Sequence, residues 1–317
     1  MPFTTKDVLG MRGVPATLIK EILDTAAQLK PMLSTPSKKT PHLQGRSIVT
    51  LFYENSTRTR MSFELASKYM SAAAANISAS ASSVAKGETL LDTGRTLDHM
   101  GTDVIIIRHP MSGAPHLLAK HVHASVINAG DGMNEHPSQA LLDMFTMREK
   151  KGDIKGLKVA IVGDVMHSRV ARSNIWGLRT MGADVVLAGP PTLMPYDLEA
   201  MDVKATTNVD EALRGADVVM GLRIQRERQQ GGLFPSVSEY NEFFGISDRR
   251  MALADKDAIV MHPGPVNRGV ELNSSVIDAP YSFIDEQVTN GVAVRMAVLY
   301  LLLTDGSSEK LYSGDES

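Results

Sequence analysis

The chain contains no cysteine among its 317 residues. Disulfide bonds, thiolate zinc sites and cysteine nucleophiles are therefore excluded together. The sequence also lacks an apolar run approaching the roughly 18 residues that cross a bilayer, and its first residues, MPFTTKDVLG, do not have the pattern of a signal peptide. A formal net charge of -3 gives no general attraction for nucleic acid. We therefore predict a cytoplasmic protein that binds neither membranes nor nucleic acid.

The length and the recurring apolar segments predict a two-domain α/β protein. A chain of 317 residues exceeds the size at which a single core usually keeps growing. Short runs rich in Val and Ile alternate with amphipathic segments, which is typical of doubly wound parallel sheets covered by helices. The predicted strands are 46–53, 104–108, 125–128, 158–162, 184–188, 218–222 and 258–261. Ligands of such sheets bind beyond the carboxyl ends of the strands.

A polar, glycine-containing segment at 151–156 marks the predicted domain boundary. We expect domains at 1–150 and 151–288, with the active site in the cleft between them. A helix at about 289–304 is expected to pack back on the first domain. The Ser- and Ala-rich segment 78–87 is typical of a mobile loop, and 305–317 is typical of a disordered tail.

The junction FYENSTRTR, at 52–60, is the most informative motif of the chain. An apolar strand ends there, and hydroxyl residues and an arginine open a helix predicted to begin at Thr57. With Asn55 or Ser56 as the N-cap, the first backbone N–H groups of the helix can bind an anion. Arg58 adds a planar fork of N–H donors that matches phosphate oxygens. The alternative is a capped helix with a solvated arginine.

The same helix carries apolar residues at a spacing of four. Met61, Leu65 and Tyr69 recur along it, with Ala66 and Met70 beside them. This periodicity predicts that the face formed by these residues packs on a sheet.

Polar residues also follow the other predicted strands and one predicted loop. The motifs are Arg108-His109-Pro110, His167-Ser168-Arg169, Arg223-Ile224-Gln225, His262-Pro263-Gly264-Pro265 and, closing the Ser/Ala loop, Lys86-Gly87-Glu88-Thr89. Each has a simpler interpretation as a surface turn, a salt bridge or a solvated side chain. Together they contribute cations that an α/β architecture could bring to one cleft, namely Arg58, Lys86, Arg108, Arg169 and Arg223. Such a cleft suits a phosphate plus a dicarboxylate.

A turn-rich loop at 128–139 places His136 and Gln139 at a predicted helix N-terminus, with Pro137 at the first helical position. The helix dipole favours a neutral imidazole there, and a neutral ring can donate a hydrogen bond to a carbonyl oxygen. A capping or core histidine is the alternative.

The segment after strand 158–162 does not form a dinucleotide site. Gly163 is followed by Asp164, so the G-x-G-x-x-G spacing that admits a pyrophosphate is missing. We predict no cofactor and no metal.

In content and order, these motifs resemble the aspartate/ornithine carbamoyltransferase superfamily, and within it the aspartate carbamoyltransferase (aspartate transcarbamylase) catalytic chains. The resemblance runs from Ser56-Thr57-Arg58-Thr59-Arg60 to the apolar helical segment at 291–303. The motifs at 108–110, 136–139 and 223–225 are similar to the aspartate-specific version. Ornithine enzymes typically carry a cysteine in a His-Cys-Leu-Pro turn, whereas this chain has Gly264 and no cysteine.

The resemblance implies an activity. The carbamoyl group would pass from carbamoyl phosphate to the amino group of L-aspartate, giving N-carbamoyl-L-aspartate and phosphate, in pyrimidine biosynthesis. The amine would attack directly, and catalysis would depend on holding two anions together and stabilising an oxyanion. The alternatives are a carbamoyltransferase with another amino acceptor, or a catalytically silent paralogue that binds anions.

The resemblance also implies roles for individual residues. The phosphate of carbamoyl phosphate would be bound by Ser56, Thr57, Arg58 and Thr59. The carbamoyl oxygen would be bound by Thr59, Arg108 and His136. The carbamoyl nitrogen would be bound by Gln139 and the Pro265 carbonyl. The Gly264 carbonyl would orient the attacking amine. Arg169 would bind the α-carboxylate of aspartate, and Arg223 with Gln225 the β-carboxylate.

A homotrimer with shared active sites is implied as well, because in this family the residues that match Ser82 and Lys86 come from a neighbouring subunit. The resemblance leaves open whether the trimer works alone, joins a regulatory chain or associates with dihydroorotase.

Overall fold

The chain forms two compact units in the computed structural model. Unit 1 comprises Met1–Leu142 and Val288–Ser317, and unit 2 comprises Asp143–Gln287. The structure describes residues 5–78, 87–196, 198–224 and 236–304. Within these ranges, no helix has the length and apolar character needed to cross a membrane.

Unit 1 is built on a parallel sheet with the strand order β2-β1-β3-β4. Its strands are β1 (Ser47–Phe52), β2 (Ala73–Ser78), β3 (Val104–His109) and β4 (Ser125–Asp131). Its helices are α1 (Ala16–Leu29), α2 (Thr57–Tyr69), α3 (Leu90–His99) and α4 (Ala114–Ala119), with a 3-10 helix at Lys30–Ser34. The N-terminal segment continues the sheet, because Val8 forms a parallel bridge with Ile127 of β4.

Unit 2 is built on a second parallel sheet, with the strand order β7-β6-β5-β8-β9. Helix α5 (Pro137–Lys151) leads into it from unit 1. Its strands are β5 (Lys158–Val162), β6 (Asp184–Ala188), β7 (Lys204–Thr206), β8 (Val218–Gly221) and β9 (Ile259–Met261). Its helices are α6 (Arg169–Thr180), α7 (Leu198–Met201), α8 (Val209–Leu213), α9 (Val237–Phe244), α10 (Asp248–Met251) and α11 (Ser274–Ile277), with a 3-10 helix at Pro191–Leu193. Helix α12 (Ile284–Leu303) begins in unit 2 and ends in unit 1.

The central strands form the core of each sheet. Val104 to Ile107 of β3 and Val159 to Ile161 of β5 are fully buried. Because helices cover both faces of such strands, the strands are apolar throughout rather than alternating. Each buried Val, Ile or Leu side chain contributes about 1.5–3 kcal/mol.

The two-sheet α/β architecture predicted from the sequence is confirmed. Strands β5 and β6 match the predicted ranges, while β4 extends to Asp131, beyond the predicted end at 128. Strands β2 and β7 were not predicted. Their sequences, AAANIS and KAT, contain little of the β-branched and aromatic character that identifies strands.

The prediction for the packed face of α2 is wrong in part. Ala66 is buried as expected, but Met61 is 43% exposed. The buried face instead includes Phe63 with Ser62 and Ser67. Both serine hydroxyls donate hydrogen bonds to backbone carbonyls one turn back, at 3.0 and 2.8 Å, so these polar residues are buried without an unsatisfied donor.

The predictions of a mobile loop and a disordered tail concern residues that the structure mostly does not describe. Residues 79–86 and 305–317 lie outside the described ranges.

Candidate active site

One edge of the unit 1 sheet carries the predicted phosphate ligands at 56–59 and the predicted carbamoyl ligands other than Pro265. In the strand register, Phe52 of β1 pairs with Arg108 of β3, and Ile107 pairs with Asn128 of β4. Because the strands are parallel, their carboxyl ends meet at the same edge. The N-terminus of α2 and the loop before α5 follow these ends, and Arg108 lies in β3, one residue before the strand ends.

The N-terminus of α2 has the arrangement expected for anion binding. Ser56 is the N-cap, with an extended backbone at φ -157° and ψ 102°, and among the described contacts its side chain does not cap the helix. Thr57 and Arg58 are exposed, whereas Thr59 is buried. The first-turn N–H groups therefore favour a negative charge, and Arg58, which is exposed in the same turn, adds a positive charge.

Arg108 is held in place by its neighbours on both sides. Its Nε donates to Glu54 Oε2 at 3.2 Å, and its Nη1 donates to the carbonyl oxygen of Ala129 at 3.4 Å. The side chains of Arg108 and Glu54 are 15% and 22% exposed, so the pair is mostly shielded from water. Glu54 was not predicted as a site residue, although it lies within the 52–60 motif.

The loop before α5 is organised by a buried carboxylate, Asp131. Its oxygens accept hydrogen bonds from the N–H of Gly113 at 2.7 Å, Nδ2 of Asn128 at 2.8 Å and the N–H of Glu135 at 3.1 Å. Glu135 in turn accepts the N–H of Met11 at 2.6 Å. These acidic residues were also missed, since carboxylates in a turn-rich loop usually indicate only solvated polarity.

Helix α5 begins at Pro137, as predicted, and His136 precedes it. The carbonyl oxygen of His136 accepts the N–H of Gln139 at 3.0 Å. Both side chains are buried, at 4% and 8% exposure. The structure thus brings His136 and Gln139 together at the same helix N-terminus.

His109 follows Arg108 but has a structural environment. Burial lowers the pKa of His109, and the N–H of Met111 donates to its Nδ1 at 3.0 Å. Its ring lies 4.6 Å from that of Tyr53. These contacts favour a neutral ring that supports the turn.

The unit 2 sheet has a corresponding edge. Val162 of β5 pairs with Gly221 of β8, and Met220 pairs with Met261 of β9. The loops that carry Arg169, Arg223 and Gly264 follow these three strands and so emerge at one edge.

Arg169 is the first residue of α6 and is only 4% exposed. The N-cap is Ser168, whose hydroxyl accepts the N–H of Ala171 at 3.1 Å. Buried Asp164 fixes the preceding turn, because its Oδ1 accepts both the backbone N–H of His167 at 3.1 Å and the ring Nδ1 at 2.8 Å. A guanidinium at the N-terminus of a helix, surrounded by N–H donors, suits a carboxylate ligand.

Two glycines shape this edge. Gly163 has φ +134°, and a Cβ at this position would lie 2.9 Å from the carbonyl oxygen of Leu222. Gly264 has φ +63° and is joined to Pro265 by a cis peptide bond.

Arg223 is half-buried beside a small apolar cluster formed by Leu193, Ile224 and Tyr240. Burial raises the pKa of the Tyr240 hydroxyl, and the nearby carboxylates of Glu271 and Asp164 raise it further. Tyr240 is therefore a neutral core residue beneath the loops.

Three predicted site residues, Ser82, Lys86 and Gln225, lie outside the described residues. The others divide between the two sheet edges. Unit 1 carries Ser56, Thr57, Arg58, Thr59, Arg108, His136 and Gln139, and unit 2 carries Arg169, Arg223, Gly264 and Pro265.

Sequence profiles of one family match both halves of the chain. The profile described as "Aspartate/ornithine carbamoyltransferase, carbamoyl-P binding domain" matches residues 6–149. The profile described as "Aspartate/ornithine carbamoyltransferase, Asp/Orn binding domain" matches residues 155–302.

Curated relatives are similar over nearly the full length. The aspartate carbamoyltransferase catalytic subunit of Ruminiclostridium cellulolyticum is 68% identical over 306 residues, which cover 96% of this chain and 98% of that protein. The corresponding subunit of Acetivibrio thermocellus is 68% identical over 311 residues, covering 98% of this chain and 100% of that protein.

Solved structures share the fold. Aspartate transcarbamoylase from Trypanosoma cruzi, in complex with N-(phosphonacetyl)-L-aspartic acid, matches with a TM-score of 0.84 and 31% identity, covering 93% of this chain and 94% of that one. Ornithine carbamoyltransferase from Thermus thermophilus matches with the same TM-score, 0.84, and 25% identity, covering 95% of this chain and 99% of that one. The backbone fold is thus common to enzymes with two different acceptors, and the acceptor must be determined by side chains.

Proposed function

The chain belongs to the aspartate/ornithine carbamoyltransferase family, and from this premise we propose that it transfers the carbamoyl group of carbamoyl phosphate to the amino group of L-aspartate. The products are N-carbamoyl-L-aspartate and phosphate, and the reaction belongs to pyrimidine biosynthesis. The observation that carries the proposal is the common edge of β1, β3 and β4, where Arg108, His136 and the N-terminus of α2 converge.

Carbamoyl phosphate binds at the unit 1 edge. Its phosphate sits at the N-terminus of α2 and is bound by Ser56, Thr57, Arg58 and Thr59, where backbone N–H groups and a guanidinium favour a dianion. Its carbamoyl oxygen takes hydrogen bonds from Thr59, Arg108 and His136. Gln139 and the Pro265 carbonyl bind the carbamoyl nitrogen.

L-aspartate binds at the unit 2 edge. Arg169 binds its α-carboxylate, and Arg223 with Gln225 binds its β-carboxylate. The Gly264 carbonyl accepts a hydrogen bond from the amine. An ornithine acceptor is the second candidate, because the fold matches an ornithine enzyme as closely as an aspartate enzyme. Two arginines disfavour it, since the cationic ornithine side chain would meet like charge.

The chemistry requires no protein nucleophile. The amine nitrogen attacks the carbamoyl carbon, and the carbonyl electrons move onto oxygen, where Arg108 and His136 stabilise the oxyanion. The tetrahedral intermediate then breaks its bond to the phosphate oxygen, which leaves with the bonding electrons. The departing phosphate accepts the proton of the amine. Placing both substrates in one site supplies much of the acceleration.

The assembly that supports this reaction is a homotrimer with shared active sites. Ser82 and Lys86 are then supplied by a neighbouring protomer. The proposed catalytic residues are Arg58, Thr59, Arg108 and His136 of one chain and Lys86 of its neighbour. The proposed location of the enzyme is the cytoplasm. Its candidate partners are a regulatory chain and dihydroorotase.

The test is a paired assay of purified chain with carbamoyl phosphate and either L-aspartate or L-ornithine, following the carbamoylated amino acid and the released phosphate. We expect carbamoylaspartate, with activity lost in Arg58→Ala and Arg108→Ala. Arg95→Ala is the matched control, because Arg95 is an exposed arginine on α3 that has no proposed role. Carbamoylornithine as the main product, or no product from a folded chain, would overturn the proposal.

A further inference from the structure

A buried histidine, His262, lies two residues before Gly264 in the turn that the proposed function assigns to substrate binding. His262 is 1% exposed and Glu271, beside it, is 2% exposed. We propose that His262 and Glu271 are positioning residues, which hold the Gly264 and Pro265 carbonyls in the orientation needed for the carbamoyl nitrogen and the attacking amine. This inference rests on the proposed function.

The contacts of His262 specify one tautomer of its ring. The backbone N–H of Gly264 donates to Nδ1 at 2.8 Å, so Nδ1 acts as an acceptor and carries no proton. In the neutral ring the proton is then on Nε2, which lies 3.3 Å from Glu271 Oε1. An ionised carboxylate only accepts hydrogen bonds, so Glu271 favours the same tautomer from the other side of the ring.

Glu271 is itself fixed by a neighbouring loop residue. The backbone N–H of Asn267 donates to Glu271 Oε1 at 2.7 Å, and Asn267 Nδ2 donates to Oε2 at 3.4 Å. These two donors fix the orientation of the buried carboxylate. The ring of His262 thus accepts a hydrogen bond from the turn at Nδ1 and lies beside a fixed carboxylate at Nε2.

The backbone of His262 is anchored to α6 through buried polar groups. Its N–H donates to Gln287 Oε1 at 2.9 Å, and Gln287 Nε2 donates to Asp143 Oδ1 at 2.8 Å. Asp143 Oδ2 accepts Nδ2 of Asn174, on α6, at 2.8 Å. These hydrogen bonds connect the turn to α6, the helix that begins with Arg169, the proposed α-carboxylate ligand.

The turn needs this support because Gly264 has no side chain to fix it. Glycine populates the left-handed region at little cost and equally adopts many other conformations. A hydrogen bond from its N–H to a rigid ring removes much of that freedom. Misplacement of a reacting group by about 1 Å can cost roughly 10²-fold in rate.

A matched pair of variants at position 262 tests the role of each ring nitrogen. His262→Asn places an amide oxygen near the Nδ1 position and can still accept the Gly264 N–H. His262→Gln places its amide near the Nε2 position and keeps only the contact with Glu271. We expect His262→Asn to retain roughly tenfold more kcat than His262→Gln, with similar melting temperatures. Equal kcat values, or activities that follow melting temperature alone, would refute the positioning role.

Glu271→Gln tests the carboxylate. The amide nitrogen of the glutamine can donate to His262 Nε2, which shifts the ring proton to Nδ1. The Nδ1–H group then faces the backbone N–H of Gly264, and two donors cannot form a hydrogen bond. We expect kcat to fall roughly 10- to 100-fold. The ¹⁵N NMR spectrum of labelled histidine should show His262 as the Nε2–H tautomer in the wild-type chain and lose that signature in Glu271→Gln. An unchanged tautomer would contradict the inference.

The two proposals fail in different ways. If the wild-type chain forms no carbamoylaspartate, the proposed function fails, and the NMR signature still tests the ring geometry. If the wild-type chain is active and the variants keep full kcat, only the positioning role fails.

Discussion

Arg108 is a proposed site residue whose orientation is fixed by its neighbours. Its guanidinium is held between Glu54 and the Ala129 carbonyl, which point it at the edge of the sheet. We predict that Arg108→Ala lowers kcat roughly 10²- to 10³-fold, because one oxyanion donor is lost. Steady-state kinetics with both substrates at saturation measure this effect.

Glu54→Gln serves as the companion variant. It keeps an acceptor for Arg108 and removes the charge, so we expect a loss of about tenfold or less in kcat. A loss as large as that of Arg108→Ala would mean that Glu54 acts on substrate directly and not through the guanidinium.

Gly163 tests how closely the loops of unit 2 approach each other. An alanine there would have to adopt φ +134° and place its Cβ 2.9 Å from the Leu222 carbonyl oxygen. We predict that Gly163→Ala lowers the free energy of unfolding by roughly 1–3 kcal/mol more than Gly152→Ala. Gly152 has φ +86° with open space around its Cβ position. The loss in Gly152→Ala therefore measures the cost of a positive φ without a steric clash. Denaturant unfolding compares the two, and equal losses would show that the loop contact is unimportant.

At this scale, the sequence predicted candidate charged ligands but not the residues that hold them in place. The positions of Arg108 near the end of a strand and of His136 just before a helix were predictable, because local motifs mark both places. Glu54, Asp131 and Glu271 were not, because a carboxylate's partner is decided by residues distant in sequence.

At the scale of elements, one buried arginine joins three short helices of unit 2. Arg250, in α10, donates its Nε to Asp210 of α8 at 2.8 Å. Its Nη1 and Nη2 donate to the carbonyl oxygens of Gly245 at 2.6 Å and Phe243 at 2.7 Å, which lie at the end of α9. The guanidinium therefore caps one helix and ties it to two others.

We predict that Arg250→Met destabilises the chain by roughly 3 kcal/mol, because carbonyl oxygens and a carboxylate lose their donors. Arg249→Met is the matched control. Arg249 also contacts Asp210, at 3.0 Å, but its side chain is 68% exposed, so we expect a loss under about 1 kcal/mol. Urea unfolding of both variants measures the difference, and comparable losses would contradict the capping role.

The same cluster predicts a pH dependence. The hydrogen bond from Arg250 is the main cause that lowers the pKa of Asp210 below its ordinary value of 3.8. A carboxyl with a lowered folded-state pKa stabilises the fold above its unfolded pKa and loses that contribution as the pH falls through the folded value. We expect Asp210→Asn to lower the melting temperature near neutral pH, with a difference that shrinks below pH 3.8. A difference independent of pH would argue against a charge effect.

At the scale of the whole molecule, the proposed trimer predicts complementation between inactive variants. Arg58→Ala removes a ligand of each chain's own site, whereas Lys86→Ala removes one that the chain lends to its neighbour. A mixed trimer then regains one intact site. Random mixing in equal amounts should restore about a quarter of wild-type activity after dissociation and reassembly.

The control is each variant reassembled with itself, which should stay inactive. No recovery in the mixture, with trimers confirmed by light scattering, would mean that Lys86 serves its own chain.

By itself, the sequence determined the fold class and predicted the ligand chemistry. Apolar strands recurring between amphipathic segments specify parallel sheets, and motifs such as 56–60 are local, because adjacent residues form the end of a strand and the start of a helix. The short strands β2 and β7 escaped prediction because they are held by pairing with neighbours and not by their own composition.

Only the tertiary structure decided how the site residues are held. The strand register sets Arg108 beside Glu54. A buried series of hydrogen bonds connects Asn174 with His262, which lie more than eighty positions apart in the sequence. Hydrogen bonds between such distant residues leave no periodic signal in the sequence. They form because folding buries these polar groups, and a buried donor or acceptor must find a partner.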